Sequence, residues 1–158
     1  MEQEQTMPPK FSLQSVLDYH HRRVEIIEGE LGRLVQARHE ALGVLESLNL
    51  EQERMLMELS ELQSGEMDLS SITQTRFNLR RTQNDIEKQE YIIQSFDKLI
   101  ESKQAELVQA KQDEAVFEKL KEKEMAKFME RVNSQEKILQ DDIYVSKAHR
   151  QPVSGREE

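Results

Sequence analysis

Cysteine is absent from the 158-residue chain, which removes disulfides, thiolate metal sites and cysteine nucleophiles together. Oxidising and reducing compartments are therefore both compatible. Proline and glycine are scarce, at 3 and 5 residues, and aromatic residues make up only 5%. With so few turn formers and bulky core residues, the chain is suited to long helices rather than to a thick core. Nowhere do 18 apolar residues follow one another, so no transmembrane helix is available. Met1 to Lys10 is polar and acidic, without the apolar stretch of a signal peptide. No Asn-x-Ser/Thr sequon occurs. A cytoplasmic protein is the default expectation. Net positive charge is lacking too. With 22 basic against 31 acidic residues the formal charge is −9, which gives a nucleic-acid role little electrostatic support.

The motifs of catalysis are also missing. There is no phosphate-cradling glycine loop, HExxH, EF-hand loop or Gly-x-Ser-x-Gly. Of the four histidines, His20 and His21 are adjacent and point to different faces of a helix, the wrong arrangement for joint metal ligation. The many carboxylates fall on solvated helix faces, where no cleft exists to raise a pKa for acid–base work. The expectation is a protein that is not an enzyme and carries no cofactor or metal.

What is present is charge, 34% of the residues, mixed with 36% hydrophobic ones in a regular order. Leu13, Leu17, His20, Val24, Ile27, Leu31, Leu34, Arg38, Ala41, Leu45, Leu48, Gln52, Met55, Leu59 and Leu62 succeed one another at alternating spacings of four and three. Only His20, Arg38 and Gln52 among them are not apolar. A mean spacing of 3.5 residues is a coiled-coil seam, a narrow stripe that needs a second helix to cover it. A lone polar residue such as His20 in a seam more often sets register than binds metal.

The second helix is supplied downstream. Leu79, Ile86, Ile93, Ile100 and Leu107 stand seven apart, with Thr82, Gln89, Phe96, Lys103, Ala110 and Phe117 as companions. After Phe117 the apolar row changes phase to Met125, Val132 and Leu139, beside Phe128, as a stutter would make it do. Between the two ladders, residues 63 to 71 read as the break. Gly65 suits a left-handed helix C-cap, while Asp68, Ser70 or Ser71 can cap the second helix, Ser71 with Gln74 at capping-box spacing.

These signals predict an all-α fold: two long helices in an antiparallel coiled-coil hairpin, the second helix longer. Residues 1–10, which hold Pro8 and Pro9, form a disordered leader. Helix one runs over about 12–63 with Ser12 as N-cap and Phe11 as staple, the loop over about 64–70, helix two over about 71–147, and 151–158 is a disordered tail. Folding back from a loop near residue 67 sets Ser12 opposite about residue 122. The last 25 or so helical residues then overhang, and their stripe of Met125, Phe128, Val132, Leu139 and Ile143 wants a partner. Gly29, Gly32 and Gly43 lie off the seam, each costing about 1 kcal/mol against Ala. They read as tolerated, as points of local softness, or as points of approach for a partner. Apolar residues beyond the seam gather towards the loop, among them Val35, Leu42, Val44, Leu50, Leu56, Met57, Phe77, Tyr91 and Ile92. They are a broadened core, ordinary surface scatter or a docking patch.

Two segments resemble the flagellar FliJ family, the coiled-coil component of the flagellar type III export ATPase complex. Phe11-Ser12-Leu13-Gln14-Ser15-Val16-Leu17 is similar to that family's Phe-x-Leu-Gln-x-Val-Leu opening. Glu118-Lys119-Leu120, with Glu136-Lys137-Ile138-Leu139-Gln140-Asp141 after it, is similar to its closing segments, with Glu136 and Gln140 departing from the pattern. The layout agrees over about residues 11 to 150. The resemblance implies a hairpin like the stalk of rotary ATPases, and a non-enzymatic adaptor associated peripherally with the inner-membrane export apparatus. It implies that the joined ends engage a hexameric export ATPase, through Phe11, Leu13, Leu120, Met125, Phe128, Val132, Lys137, Leu139 and Asp141. A surface nearer the loop, including Leu45, Leu48 and Phe77, would contact the cytoplasmic domain of an FlhA-like export gate, and export chaperones are further partners. Direct membrane insertion is not expected. Two other readings stay open: the equivalent stalk of a virulence type III secretion system, and a homo-oligomeric coiled-coil spacer.

Overall fold

A computed structural model describes residues 10–150. The leader and tail expected at the two ends lie outside the described residues, apart from Lys10. Two helices account for nearly all that is described, α1 at Gln14–Ser64 and the longer α2 at Leu69–His149, and no strand occurs among the described residues. Contacts divide the chain into two compact units. One is Arg22–Lys111; the other joins Met1–His21 to Gln112–Glu158.

In Arg22–Lys111 the helices pair in opposite directions. As the α1 partner moves from Met55 through Ala41, Arg38 and Glu30 to Glu28, its α2 counterpart moves from Thr82 through Gln89, Asp97 and Lys103 to Lys111. Rising numbers on one arm against falling numbers on the other are what an antiparallel hairpin requires. The core is one layer thick. Val24, Ile27 and Ala110 form its most buried cluster, with Leu107 packed against it. Among the described residues no large side chain is completely enclosed.

The seam expected of α1 is the face that packs. Of its fifteen positions, Leu17, Val24, Ile27, Ala41 and Met55 are buried and nine more are half-buried; Leu13 alone is exposed. Arg38 reaches the seam's edge and pairs with Asp97 of α2, which explains a cation at that position. On α2 the ladder from Leu79 to Ala110 is also packed, and it extends one heptad towards the loop through Ile72 and Thr75.

Two helix ends and one change of phase depart from expectation. Ser12 does not cap α1. The first turn is closed by backbone bonds, Gln14 N–H to the Phe11 carbonyl and Val16 and Leu17 N–H to the Leu13 carbonyl, so the half-helical residue is Leu13. Gly65 does not take the left-handed backbone. The Ser64 hydroxyl instead donates to the Glu61 carbonyl at 2.9 Å, satisfying one of the last turn's free acceptors without a reversal of φ. Among the three candidate caps of α2, Asp68 is used. Its carboxylate accepts from Ser70 N–H at 3.0 Å and the Ser71 hydroxyl at 2.6 Å, its carbonyl accepts from Ile72 N–H, and Gln74 turns forward to Asn78.

After Phe117 the packed face does not shift to Met125 at once. Lys121, Glu124 and Phe128 continue the old spacing of three and four and stay half-buried, whereas Met125 is 36% exposed. Val132, also half-buried, is the first packed residue of the new phase. Lys121 and Glu124 share a hollow with Phe11, just ahead of α1, and so keep the old phase. Lysine and glutamate tolerate it because their stems pack while their heads reach water.

Candidate interaction surfaces

Each unit presents its own surface. In Met1–His21 with Gln112–Glu158, α1 meets α2 through a short series of contacts. The His20 ring stacks on Phe117, Nδ1 of His21 lies 2.6 Å from a Glu114 carboxylate oxygen, and Phe11 lines a small hollow with Lys121, Glu124 and Met125. Beyond Val132 every residue from Asn133 to Arg150 is exposed. That stretch presents Ile138 and Leu139 at 61%, Ile143 at 47%, and Tyr144 at 77%. Leaving so many large apolar side chains in water along five turns is unfavourable unless something else covers them.

The residues expected to touch the ATPase all belong to this unit. Phe11, Phe128 and Val132 are half-buried, while Leu13, Leu120, Met125, Lys137, Leu139 and Asp141 are exposed. Phe11 and Met125 come together at the hollow. Lys137, Leu139 and Asp141 stand on bare α2, each exposed within the run from Asn133 to Arg150.

In Arg22–Lys111 the flanks of the seam differ in chemistry. One is stitched by Arg38 to Asp97 and Glu28 to Lys111 at 2.7 Å. The other carries Lys103 between Glu30 and Glu106, each at 2.8 Å. Glu106 first, then Glu30, hold the Lys103 ammonium above its ordinary pKa. The hydrogen bond from Lys103 in turn holds the Glu30 carboxyl below its own. Around this network, exposed apolar residues are numerous. Val35, Leu42, Val44, Leu50, Leu56, Met57, Phe77, Tyr91 and Ile92 are all exposed, so they do not broaden the core. Neither are they confined to the loop side, since Ile26, Leu99 and Val108 are exposed as well.

The three residues expected at the gate are not gathered into one patch. Leu45 and Leu48 are half-buried in the seam, and Phe77, 64% exposed, faces outward. The pairings of Ala41 with Gln89 and Met55 with Thr82 set Leu45 and Leu48 level with the α2 turn around Ile86. Phe77 lies about nine residues nearer the loop, roughly 13 Å along the helix.

Some of this was not readable from composition or spacing. The stack of His20 on Phe117, the His21–Glu114 contact and the Gln89 amide donating to the Ala41 carbonyl at 2.9 Å depend on relative helix rotation. Glu114 did stand seven residues after Leu107, a signal that a carboxylate would enter the seam. Among the described residues no three His, Asp or Glu side chains converge as a metal site would need, and no helix is long and apolar enough to cross a membrane.

No curated protein and no solved structure matches the chain. The family model described as "Flagellar FliJ protein" matches residues 9–152, nearly the whole sequence and both helices. The antiparallel helix pair, the longer second helix and this match agree, and the chain therefore belongs to the flagellar FliJ family, a coiled-coil family of flagellar protein export.

Proposed function

We propose that the protein is a non-enzymatic adaptor of the flagellar type III export apparatus, joining a ring-shaped export ATPase to the export gate. In this reading the end built from Phe11, Leu13 and the α2 segment from Leu120 to Asp141 engages the ATPase hexamer. A surface of Arg22–Lys111 docks on the cytoplasmic domain of an FlhA-like gate, and export chaperones are carried on the same molecule. The protein then works in the cytoplasm, at the inner-membrane export machinery.

The observation that carries the reading is the bare α2 stretch after Val132, with Leu139 61% and Tyr144 77% exposed. A helix already zipped along one part and open along the next is suited to insertion into a central channel, where a partner supplies the missing wall. The family match favours a flagellar system over a virulence one. The same bare stretch would also serve self-association, so the homo-oligomeric spacer remains the competing reading.

The test is stimulation of the export ATPase by the full chain and by a variant carrying Met125→Asp, Phe128→Asp and Leu139→Asp. Loss of stimulation with helicity retained is expected. Full stimulation by that variant would remove the inserted-end mechanism. Light scattering at micromolar concentration separates the rival: a monomeric mass supports the adaptor, and a stable dimer or filament supports the spacer.

A further inference from the structure

We infer that the open end of the hairpin has two seam phases, and that α2 passes between them by a local turn after Phe117. Leu13 is the single α1 seam residue left exposed, at 39%. Counting seven residues along each helix from the His20–Phe117 stack sets it level with Glu124, where Lys121 and Glu124 are half-buried and Met125 is 36% exposed. Phe11 touches the hollow formed by all three. Two apolar side chains thus each keep more than a third of their surface in water, while a lysine and a glutamate beside them are the more covered.

The rotation needed is small. Met125 comes four residues after Lys121, which on a helix of 3.6 residues per turn places it about 40° away. A straight α-helix drifts about 20° per heptad from the supercoiled path. Relaxing the supercoil after Phe117 therefore delivers about 20° by Met125, half the angle to Lys121's place, and about 40° by Val132, with no strained dihedral. Val132 is already half-buried in the second phase. Phe128 is flanked by both phases and stays packed in either.

What holds the first phase lies upstream. The His20–Phe117 stack and the His21–Glu114 contact fix α2 up to Phe117, so the turn is confined to the residues beyond it. In the second phase Met125 covers Leu13, Glu124 returns to water, and the row Met125, Val132, Leu139 becomes one continuous stripe. The apolar gain is offset by partial loss of the Lys121 stem contacts, which keeps the two arrangements close in free energy. The exchange between phases is a property of the chain alone and needs no bound ATPase.

The experiment is methyl NMR of the full chain labelled at its seven methionines, with Met125 assigned by its loss in Met125→Leu. Two Met125 signals, or one broadened by exchange, are expected in the wild type. In the double variant Lys121→Leu with Glu124→Leu, apolar side chains fill the first phase, and the ratio should move roughly tenfold towards it. One sharp Met125 signal without relaxation dispersion in the wild type would overturn the inference. So would a double variant, helical by circular dichroism, that keeps the wild-type ratio.

Discussion

The imidazole of His20 lies nearly flat on the ring of Phe117, centroids 4.9 Å apart and planes 18° apart. Its Nδ1 is buried without a hydrogen-bond partner. A polar seam residue is thus retained although half of its hydrogen-bonding capacity is unmet. An unsatisfied buried polar atom costs about 1–3 kcal/mol, against about 0.5–1.5 kcal/mol from an aromatic pair. His20→Leu is expected to stabilise the protein by about 1 kcal/mol in urea unfolding. A loss of stability would show that the stack outweighs the orphaned nitrogen.

Gly29, Gly32 and Gly43 sit on exposed helix surface, and a Cβ added at any of them meets no atom within 4 Å. Nothing in the fold requires glycine there. Each substitution by alanine should stabilise α1 by about 0.5–1 kcal/mol, and the triple variant by about 2 kcal/mol if the sites are independent. Thermal and urea unfolding measure the gain. A triple variant that is more stable yet fails to bind the gate proposed above would mark the glycines as points of close approach by a partner.

The Lys103 network makes stability depend on pH with a defined sign. Glu30's carboxyl is held low by Lys103. Its contribution is therefore present above the ordinary carboxylate value of about 4.3 and is lost as pH falls through the lowered one. Lys103's ammonium is held high by Glu106 and Glu30. That contribution is complete below about 10.4 and is lost as pH rises through the raised value. Lys103→Gln should therefore lower the melting temperature most between about pH 5 and pH 10. The gap to wild type should narrow in stronger acid and stronger base. A gap independent of pH would mean that Lys103 acts through packing of its stem.

Asp68 holds the first turn of α2 through Ser70 N–H and the Ser71 hydroxyl, and these bonds, Ser71's first, lower its carboxyl pKa. Asp68→Ala should speed amide exchange at residues 70–73 while leaving the seam amides near Ile93 protected. Asp68→Asn, which keeps an acceptor, should lie between the two. Equal exchange in all three proteins would remove Asp68 as the cap.

The paired helices and their packed faces were legible because a 3.5-residue apolar repeat is a direct record of what must be buried. Leu17, Val24, Ile27, Ala41 and Met55 are read off the sequence by counting. The residues that misled did so where two forces compete. At Lys121 and Glu124, apolar preference pointed to Met125, yet the hollow shared with Phe11 prolonged the older phase. At Gly65, a residue suited to the left-handed region is not placed in it, since Ser64 satisfies a carbonyl instead. The surfaces are less legible than the seam. Side chains such as Val44 and Phe77 leave no repeat to count, because an outward position is under no constraint from the fold itself.

The single-layer core of Arg22–Lys111 has a consequence for how such a protein can change in size. Each rung of packed side chains leans only on the rungs directly before and after it. Removing one matched seven-residue segment from each arm would bring equivalent rungs into contact and preserve every remaining neighbour relation. Span is thus a quantity that inheritance can adjust in increments of about 10 Å, with no redesign of the parts that stay.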